Sequence, residues 1–226
     1  MTQRIDFSHI TTWVFDLDNT LYPPEIRLFD QISEKMVQFM VDHLNIDHAT
    51  ANKLRTRYWE SHGTTLAGLM DVHGVPPEQF LIDVHDIDFS ALPPAPGLAA
   101  LINTLPGRKI VYTNGTVPYA QNVLRARGLD HCFPDIFGVE NAGFRPKPEY
   151  AAFETVFAQA QITPTSAAMF EDEMRNLQAP HQMGLRTVWV APQAGNPAPA
   201  PFVDMHHHTL DAALQQIIAG GFTPEN

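Results

Sequence analysis

Residues 12–20 read TWVFDLDNT, a short apolar run that ends in two aspartates, Asp16 and Asp18. The run at residues 12–15 is β-branched and aromatic and mostly apolar on both faces. This pattern is typical of a strand in a parallel sheet that helices cover on each side. In open parallel sheets, ligands bind at the carboxyl ends of the strands. The segment therefore predicts a buried strand that carries two carboxylates to a ligand-binding edge, although a turn with an acidic helix cap would look similar.

Strands of the same kind recur much later in the chain. The predicted ones cover residues 109–112, 167–170 and 187–190, with a shorter strand near 136–139. Helical stretches are expected at residues 118–127, 148–161 and 175–183, with a closing helix at 210–218. Strands that alternate with helices predict an α/β fold, a doubly wound parallel sheet with a Rossmann-like core.

The interval at residues 21–94 has no strand pattern and is too long for a loop inside a compact domain. Apolar residues recur in it at steps of three and four, as on one face of a helix. They are Ile26, Phe29, Ile32, Met36 and Met40, and residues 48–62 and 76–83 are further helical candidates. We expect an all-helical cap at residues 21–94, inserted into an α/β core of residues 1–20 and 95–226. Hinges near residues 20–24 and 90–97 would make the cap a mobile lid, and a rigidly packed subdomain is the alternative.

The composition argues against polymeric partners and membranes. The chain has 14 Lys and Arg against 25 Asp and Glu, a formal net charge of −11, whereas nucleic acids and anionic membrane surfaces are bound by basic patches. No apolar run is long enough to span a membrane, and no signal-peptide pattern opens the chain. Cys132 is the single cysteine, so no internal disulfide is expected. We expect a cytoplasmic protein whose partner is a small anion.

Polar residues also follow the other predicted strands. The triplet Thr113-Asn-Gly115 offers a hydroxyl, an amide and a close approach to the backbone, and it is also common in ordinary turns. Lys147 stands between two prolines at the expected start of a helix, which restricts its backbone and helps to aim its ammonium group. The segment Glu171-Asp-Glu173 supplies hard oxygen ligands suited to Mg²⁺, or a helix cap.

The order of these groups closely resembles the four motifs of the haloacid dehalogenase superfamily, over essentially the whole chain. The helical insertion matches the first type of cap in that superfamily. The resemblance implies that Asp16 is the nucleophile that attacks phosphorus and that Asp18 is the general acid and base. The phosphate-binding residues that it implies are Thr113, Asn114 and Lys147. The Mg²⁺ ligands that it implies are Asp16, Asp18 through its backbone carbonyl, and Asp172, with Glu171 bound directly or through water.

Electrostatics favours the same assignment. Asp16, Asp18, Glu171 and Asp172 would place up to four negative charges where a phosphate dianion must bind. Like charges about 4–5 Å apart cost on the order of several kcal/mol in a partly desolvated site. The cluster therefore requires cations, which Mg²⁺ and Lys147 would supply.

Asp18 favours phosphoryl transfer, because members of the superfamily that cleave carbon–halogen bonds lack an acid/base at this position. Three segments further resemble the pyrimidine 5′-nucleotidase branch: DLDNTLYP at residues 16–23, YW at 58–59 with HGTTL at 62–66, and FRPKP at 144–148. That branch implies a nucleoside monophosphate, such as UMP or CMP, as the substrate. The groups that would contact a base are Tyr22, Tyr58, Trp59 and His62, although packing in the core is the favoured interpretation of these aromatic residues.

Other functions remain open from the sequence. A phosphatase for a sugar phosphate or glycolate phosphate, or a phosphomutase, would use the same pair of aspartates. A domain that has lost catalysis and binds a partner protein is disfavoured, because all four motifs are intact. His206-His-His208 has adjacent side chains that diverge, so it predicts a surface loop or strand end and not a metal site. Residues 192–201 are rich in Pro, Ala and Gly and predict an exposed loop.

Overall fold

The computed structural model describes residues 5–192 and 197–221. Its centre is a six-stranded parallel sheet in the order β3-β2-β1-β4-β5-β6. The strands are β1 Thr12–Phe15, β2 Arg108–Tyr112, β3 Asp135–Phe137, β4 Ala167–Glu171, β5 Arg186–Val190 and β6 Met205–His207. The predicted fold class is confirmed. The triple histidine ends an edge strand, in line with its prediction, and part of the predicted loop at residues 192–201 lies outside the described residues.

Strand β1 lies in the middle of the sheet and is apolar on both faces. Trp13 and Phe15 belong to one buried cluster, together with residues of the helices α5 Pro96–Thr104, α6 Val117–Arg127 and α9 Leu210–Gly220. Val14 points to the opposite face and joins a second cluster, with residues of α7 Tyr150–Gln159 and α8 Gln178–Met183. Helices therefore cover both faces of the sheet, as its near-continuous apolar strands require.

Several predicted helix bounds are wrong. The helix expected at residues 148–161 begins only at Tyr150, so Lys147 precedes it in a loop. The helix expected at residues 175–183 divides into a 3₁₀ turn at Met174–Leu177 and α8. Helix α5 begins at Pro96, inside the segment interpreted as turn and hinge, since proline is well tolerated in the first turn of a helix.

Four helices occupy the interval between β1 and α5: α1 Leu28–Leu44, α2 His48–His62, α3 Thr65–His73 and α4 Pro77–His85. Helix α3 was not predicted, and Thr64 caps its first turn by accepting a hydrogen bond from the Ala67 amide. The predicted apolar stripe of α1 is divided, because Ile32 is buried whereas Phe29 and Met36 stay half-buried. The division of the chain into residues 21–94 and the two flanking parts stays a prediction. In the described part of the chain, no helix has both the length and the apolar character of a membrane span.

Arg127 ties together the two segments that connect these four helices to the rest of the fold. It is buried, and its guanidinium donates to the carbonyl of Leu21 at 3.3 Å and to that of Pro93. Its own backbone carbonyl accepts from the Ala95 amide at 2.8 Å. Both connections are thereby fixed to the end of α6, within the fold's larger buried cluster.

Candidate active site

The two central strands of the sheet deliver the acidic residues to one place. Along the chain, the strands spread first from β1 to β3 on one side and then from β4 to β6 on the other, so the order reverses between β1 and β4. Such a reversal is where ligands bind in doubly wound sheets. Asp16 follows β1, while Glu171 ends β4 and Asp172 follows it. All three line a cavity of about 320 Å³.

Lys147 lies at the centre of this cluster and is buried. Its ammonium group donates to Asp16 Oδ1 at 2.6 Å, to Glu171 Oε2 at 2.8 Å and to the Tyr112 carbonyl at 3.1 Å. Burial alone would lower the pKa of Lys147, but the two carboxylates outweigh it and raise that pKa. The lysine is therefore charged, and all three of its protons have acceptors.

The backbone of Lys147 is held by Asn114. The Asn114 amide accepts from the Lys147 N–H at 2.8 Å and donates to the Lys147 carbonyl at 3.1 Å. This reciprocal pair joins the end of β2 to the loop before α7, across more than thirty residues of sequence. The predicted restraint by the two prolines is thus supplemented by a side chain from another strand end.

Asp16, Glu171 and Asp172 place carboxylate oxygens within 4.8 Å of one another. Burial, and then the charge of Asp16, raise the pKa of Glu171 to about 8 and the pKa of Asp172 well above its usual range. Glu171 also accepts from Asn176 at 2.6 Å, and the Asp172 carbonyl accepts from the Trp189 indole at 2.7 Å. One ammonium group does not balance these carboxylates. Three converging hard oxygen donors with excess negative charge fit a Mg²⁺ ion.

Asp18 has a different environment from Asp16. Its Oδ1 accepts from Tyr22 at 2.6 Å and from Tyr119 at 2.5 Å, and the residue also lines the cavity. Burial, and then the charge of Asp16, raise the pKa of Asp18 to about 6. Its side chain is not part of the three-carboxylate cluster, and the binding of a metal through its backbone carbonyl stays a prediction. Asp18 is therefore suited to carry a proton near neutral pH.

Thr113 does not reach the cavity, unlike the other predicted site residues. It is fully buried, its hydroxyl accepts from the Gly115 N–H at 2.9 Å, and it is not among the residues that line the cavity. Asn114 and Gly115, which follow it, do line the cavity. The role of Thr113 in phosphate binding stays a prediction.

The far wall of the cavity is supplied by the helices α1 to α4. Its lining is apolar and aromatic, with Phe29, Ile32, Met36, Leu66, Phe80, Leu81 and Val84, and it also includes Arg55, Trp59, Thr64, Thr65 and His85. Of the four residues considered for base contact, only Trp59 is in this lining, and the interpretation of Trp59 as a core residue is wrong because its side chain is exposed. Tyr22 binds Asp18, while Tyr58 bonds His73 at 2.7 Å and packs against Gly68, as the core interpretation predicted.

Arg175 connects this wall to the end of β4. Its guanidinium donates to the carbonyls of Trp59 at 3.1 Å and Gly63 at 3.2 Å, and it lies 4.1 Å from the centre of the Trp59 ring. Sequence reasoning did not identify Arg175 or Tyr119. Each acts on a partner about one hundred residues away, which no local pattern reveals.

Comparison with known proteins agrees with this architecture. A family model for haloacid dehalogenase-like hydrolases matches residues 10–184. Among solved structures, a HAD phosphatase from Thermococcus onnurineus superposes with a TM-score of 0.62 at 18% identity, over 95% of this chain and 100% of that one. The magnesium-bound HAD-hydrolase YfnB from Bacillus subtilis superposes with a TM-score of 0.58 at 18% identity, over 92% of this chain and 98% of that one.

A dehalogenase is similar to a comparable degree. The L-2-haloacid dehalogenase from Xanthobacter autotrophicus superposes with a TM-score of 0.56 at 17% identity, over 95% of this chain and 100% of that one. At such identities these superpositions establish a shared fold, and the chemistry must be argued from the site residues.

Proposed function

The chain belongs to the haloacid dehalogenase-like hydrolases, and from that premise we propose that it is a Mg²⁺-dependent phosphomonoesterase that works through an aspartyl-phosphate intermediate. The observation that carries the proposal is the pair Asp16 and Asp18 on one cavity, one carboxylate bound to an ammonium group and the other to two phenols. A halide leaves without a proton, whereas an alkoxide needs one. A carboxyl group whose pKa is raised to about 6 can give and take a proton close to neutral pH, and it therefore favours phosphate esters over haloacids.

In the proposed mechanism, an oxygen of Asp16 attacks phosphorus while the bond from phosphorus to the ester oxygen breaks. Asp18 gives its proton to that ester oxygen, which leaves as an alcohol. Water then attacks the aspartyl phosphate, Asp18 takes a proton from it, and the bond between phosphorus and Asp16 breaks to release phosphate. Lys147, fixed by Asn114, keeps Asp16 oriented and offsets its charge.

The carboxylates of Asp16, Glu171 and Asp172, together with the Asp18 carbonyl, are the groups that we propose hold Mg²⁺. When bound, the ion would withdraw negative charge from the transferring phosphoryl group and offset the charge of the cluster. The geometry of the three carboxylates supports this choice of ligands, and it favours direct binding by Glu171 over binding through water.

The lining of the cavity supports a nucleoside monophosphate, with pyrimidine nucleotides as the expected class. A nucleoside requires an apolar or aromatic face for its base and polar groups for its hydroxyls and carbonyls. The cavity offers Phe29, Trp59 and Phe80, with the amide of Asn19 and hydroxyls from Thr64 and Thr65. A small, purely polar cavity would instead favour glycolate phosphate or a sugar phosphate.

A substrate panel tests the proposal. Purified protein would be incubated, with Mg²⁺ or with a chelator, with pyrimidine and purine nucleoside monophosphates, phosphoglycolate, hexose phosphates and a 2-haloacid. We expect release of phosphate only with Mg²⁺, fastest from a pyrimidine nucleotide. Release of halide, isomerisation of a hexose phosphate without release of phosphate, or full activity in the chelator would each contradict it.

Two variants test the assigned roles. Asp16→Asn should abolish turnover and the mass increase expected of a phosphorylated enzyme. Asp18→Asn should still bind substrate but turn it over about 10²–10⁴-fold more slowly. Turnover close to that of the wild type in Asp18→Asn would exclude an acid/base role for Asp18.

A further inference from the structure

Two tyrosines from distant parts of the chain converge on one oxygen of Asp18. Tyr22 follows the β1 loop and Tyr119 lies in the first turn of α6, and both are almost completely buried. Their hydroxyls donate to Asp18 Oδ1 at 2.6 Å and 2.5 Å and lie 3.5 Å from each other. Among the described residues, Oδ2 of Asp18 has no hydrogen-bond partner, and the residue borders the cavity.

The position of Tyr119 is fixed by residues that follow β2 and by a residue of α4. Its amide donates to the Thr116 hydroxyl at 3.3 Å, which caps α6. A side chain on Gly115 would place its Cβ 2.7 Å from the ring of Tyr119, so the glycine leaves room for that ring. On the other side, His85 of α4 stacks on Tyr119 with ring centres 4.4 Å apart and planes at 13°. The hydroxyl therefore has little freedom to turn away from Asp18.

The arrangement goes beyond the filling of a core. A buried phenol needs one acceptor, and two phenols that share one carboxylate oxygen leave that oxygen saturated with donors. Both hydroxyls donate to Oδ1, at 2.6 Å and 2.5 Å. A proton on Oδ1 would face two further protons, and it is therefore excluded from that oxygen. The proton that Asp18 carries must sit on Oδ2.

We propose that Tyr119 and Tyr22 are positioning residues that anchor Oδ1 of Asp18, so that Oδ2 faces the ester oxygen that leaves. This inference rests on the proposed phosphatase activity and adds to it. The proton passes from Oδ2 to the leaving oxygen as the bond to phosphorus breaks, and Oδ2 later accepts a proton from the attacking water. Without the anchor, the carboxyl group would rotate about its own bond, and proton transfer would need an alignment that is seldom populated.

The dependence of rate on the leaving group tests this inference. p-Nitrophenolate leaves without being protonated, whereas the leaving oxygen of an alkyl phosphate must receive a proton. We expect Tyr119→Phe to lower kcat/KM about 10-fold for the alkyl monophosphate that the wild type hydrolyses fastest, and less than 2-fold for p-nitrophenyl phosphate. Tyr22→Phe should behave in the same way, and the double variant should lose more. Tyr150→Phe, which alters an exposed tyrosine, is the matched control.

A second measurement separates positioning from general damage. In an Asp18→Asn background, Tyr119→Phe should have almost no additional effect, because the group that it positions is absent. Equal losses on both esters, no loss on either, or a full additional loss beside Asp18→Asn would overturn the inference. If the wild type hydrolyses neither ester, the proposed function itself has failed, which is a distinct outcome.

Discussion

The charge balance of the site depends on the buried ammonium group of Lys147. Removing a carboxylate and an ammonium from water costs several kcal/mol per ion, and the loss is recovered only where the geometry is close and every proton has an acceptor. Lys147 meets that condition, with contacts of 2.6 Å, 2.8 Å and 3.1 Å to two carboxylates and a carbonyl. Its removal would leave Asp16 and Glu171 facing each other without compensation.

Lys147→Met should therefore lower stability as well as abolish activity. In the metal-free protein near pH 8, we expect the free energy of unfolding to fall by about 3–5 kcal/mol, since one partner of a buried pair is lost. Urea unfolding monitored by tryptophan fluorescence measures this change. The control is Lys53→Met, which removes an exposed lysine of α2. Equal stability of the two variants would show that the ion pairs contribute nothing.

Among the residues of the site, the sequence identified the charged groups better than the side chains that hold them in position. Asp16, Asp18 and Asp172 follow strand ends, and parallel strands bring such ends to one edge of a sheet, so their meeting was predictable. Tyr119 was not, because it begins a helix with the features of an ordinary core residue. Its role depends on the distance of its hydroxyl from Asp18, which only the packed structure defines.

The C-terminal end of helix α2 receives hydrogen bonds from another part of the fold. The last carbonyls of a helix lack partners within it and carry its negative dipole end. Arg175, from the turn after β4, donates to the carbonyls of Trp59 and Gly63 and covers the Trp59 ring. Gly63 also lies against the Lys147 loop, since a Cβ there would be 3.3 Å from the Lys147 carbonyl. The end of α2 thus rests on two loops of the site.

Arg175→Ala should loosen this contact. We expect the loss of two hydrogen bonds and a cation–π contact to reduce local stability by about 1–3 kcal/mol and to speed amide exchange between residues 59 and 67. Hydrogen exchange with mass spectrometry resolves this region. Arg175→Lys should rescue little, because an ammonium group cannot bridge two carbonyls and also lie flat on the ring.

The comparison variant is Arg125→Ala, which removes an exposed arginine whose guanidinium donates to Asn122 of its own helix. Unchanged exchange in Arg175→Ala would mean that packing alone holds α2 in place. Faster exchange confined to residues 59–67 would favour a lid, and faster exchange throughout α1 to α4 would favour a single packed subdomain.

The elements that sequence predicted well are those with an unambiguous period or cap. Helix α2 runs over His48–His62 as expected, with Asp47 as its N-cap. Helix α3 was missed because Thr64, its cap, follows directly on the end of α2, so two short helices resembled one helix and a loop. Phe29 and Met36 fit an apolar stripe but line the cavity, because periodicity cannot distinguish a face that packs from one that borders a binding site.

In the whole molecule, the carboxylates that would bind a cation oppose folding as long as no cation is bound. The chain carries a formal charge of −11, and its fold gathers Asp16, Glu171 and Asp172 within 4.8 Å. Because the pKa of Glu171 is raised to about 8 and that of Asp172 is also raised, the folded state binds protons at these groups more tightly than the unfolded chain. Stability of the metal-free protein should therefore fall as the pH rises from about 4.5 to about 8 through these groups.

A divalent cation should reverse this trend, because it favours the ionised carboxylates. We expect saturating Mg²⁺, about 100 times its Kd, to stabilise the fold by about 2.7 kcal/mol and to raise Tm by roughly 5–10 °C. At one fixed Mg²⁺ concentration, the increase should be larger at pH 8 than at pH 6, since fewer protons must be displaced at pH 8 and the Kd is lower. Asp172→Asn should remove most of it, whereas Asp42→Asn, an exposed carboxylate of α1, should leave it unchanged. An equal increase in both variants, or one that shrinks as the pH rises, would place the cation away from this cluster. Because Tm is measured without substrate, the result is independent of which phosphate ester the protein hydrolyses.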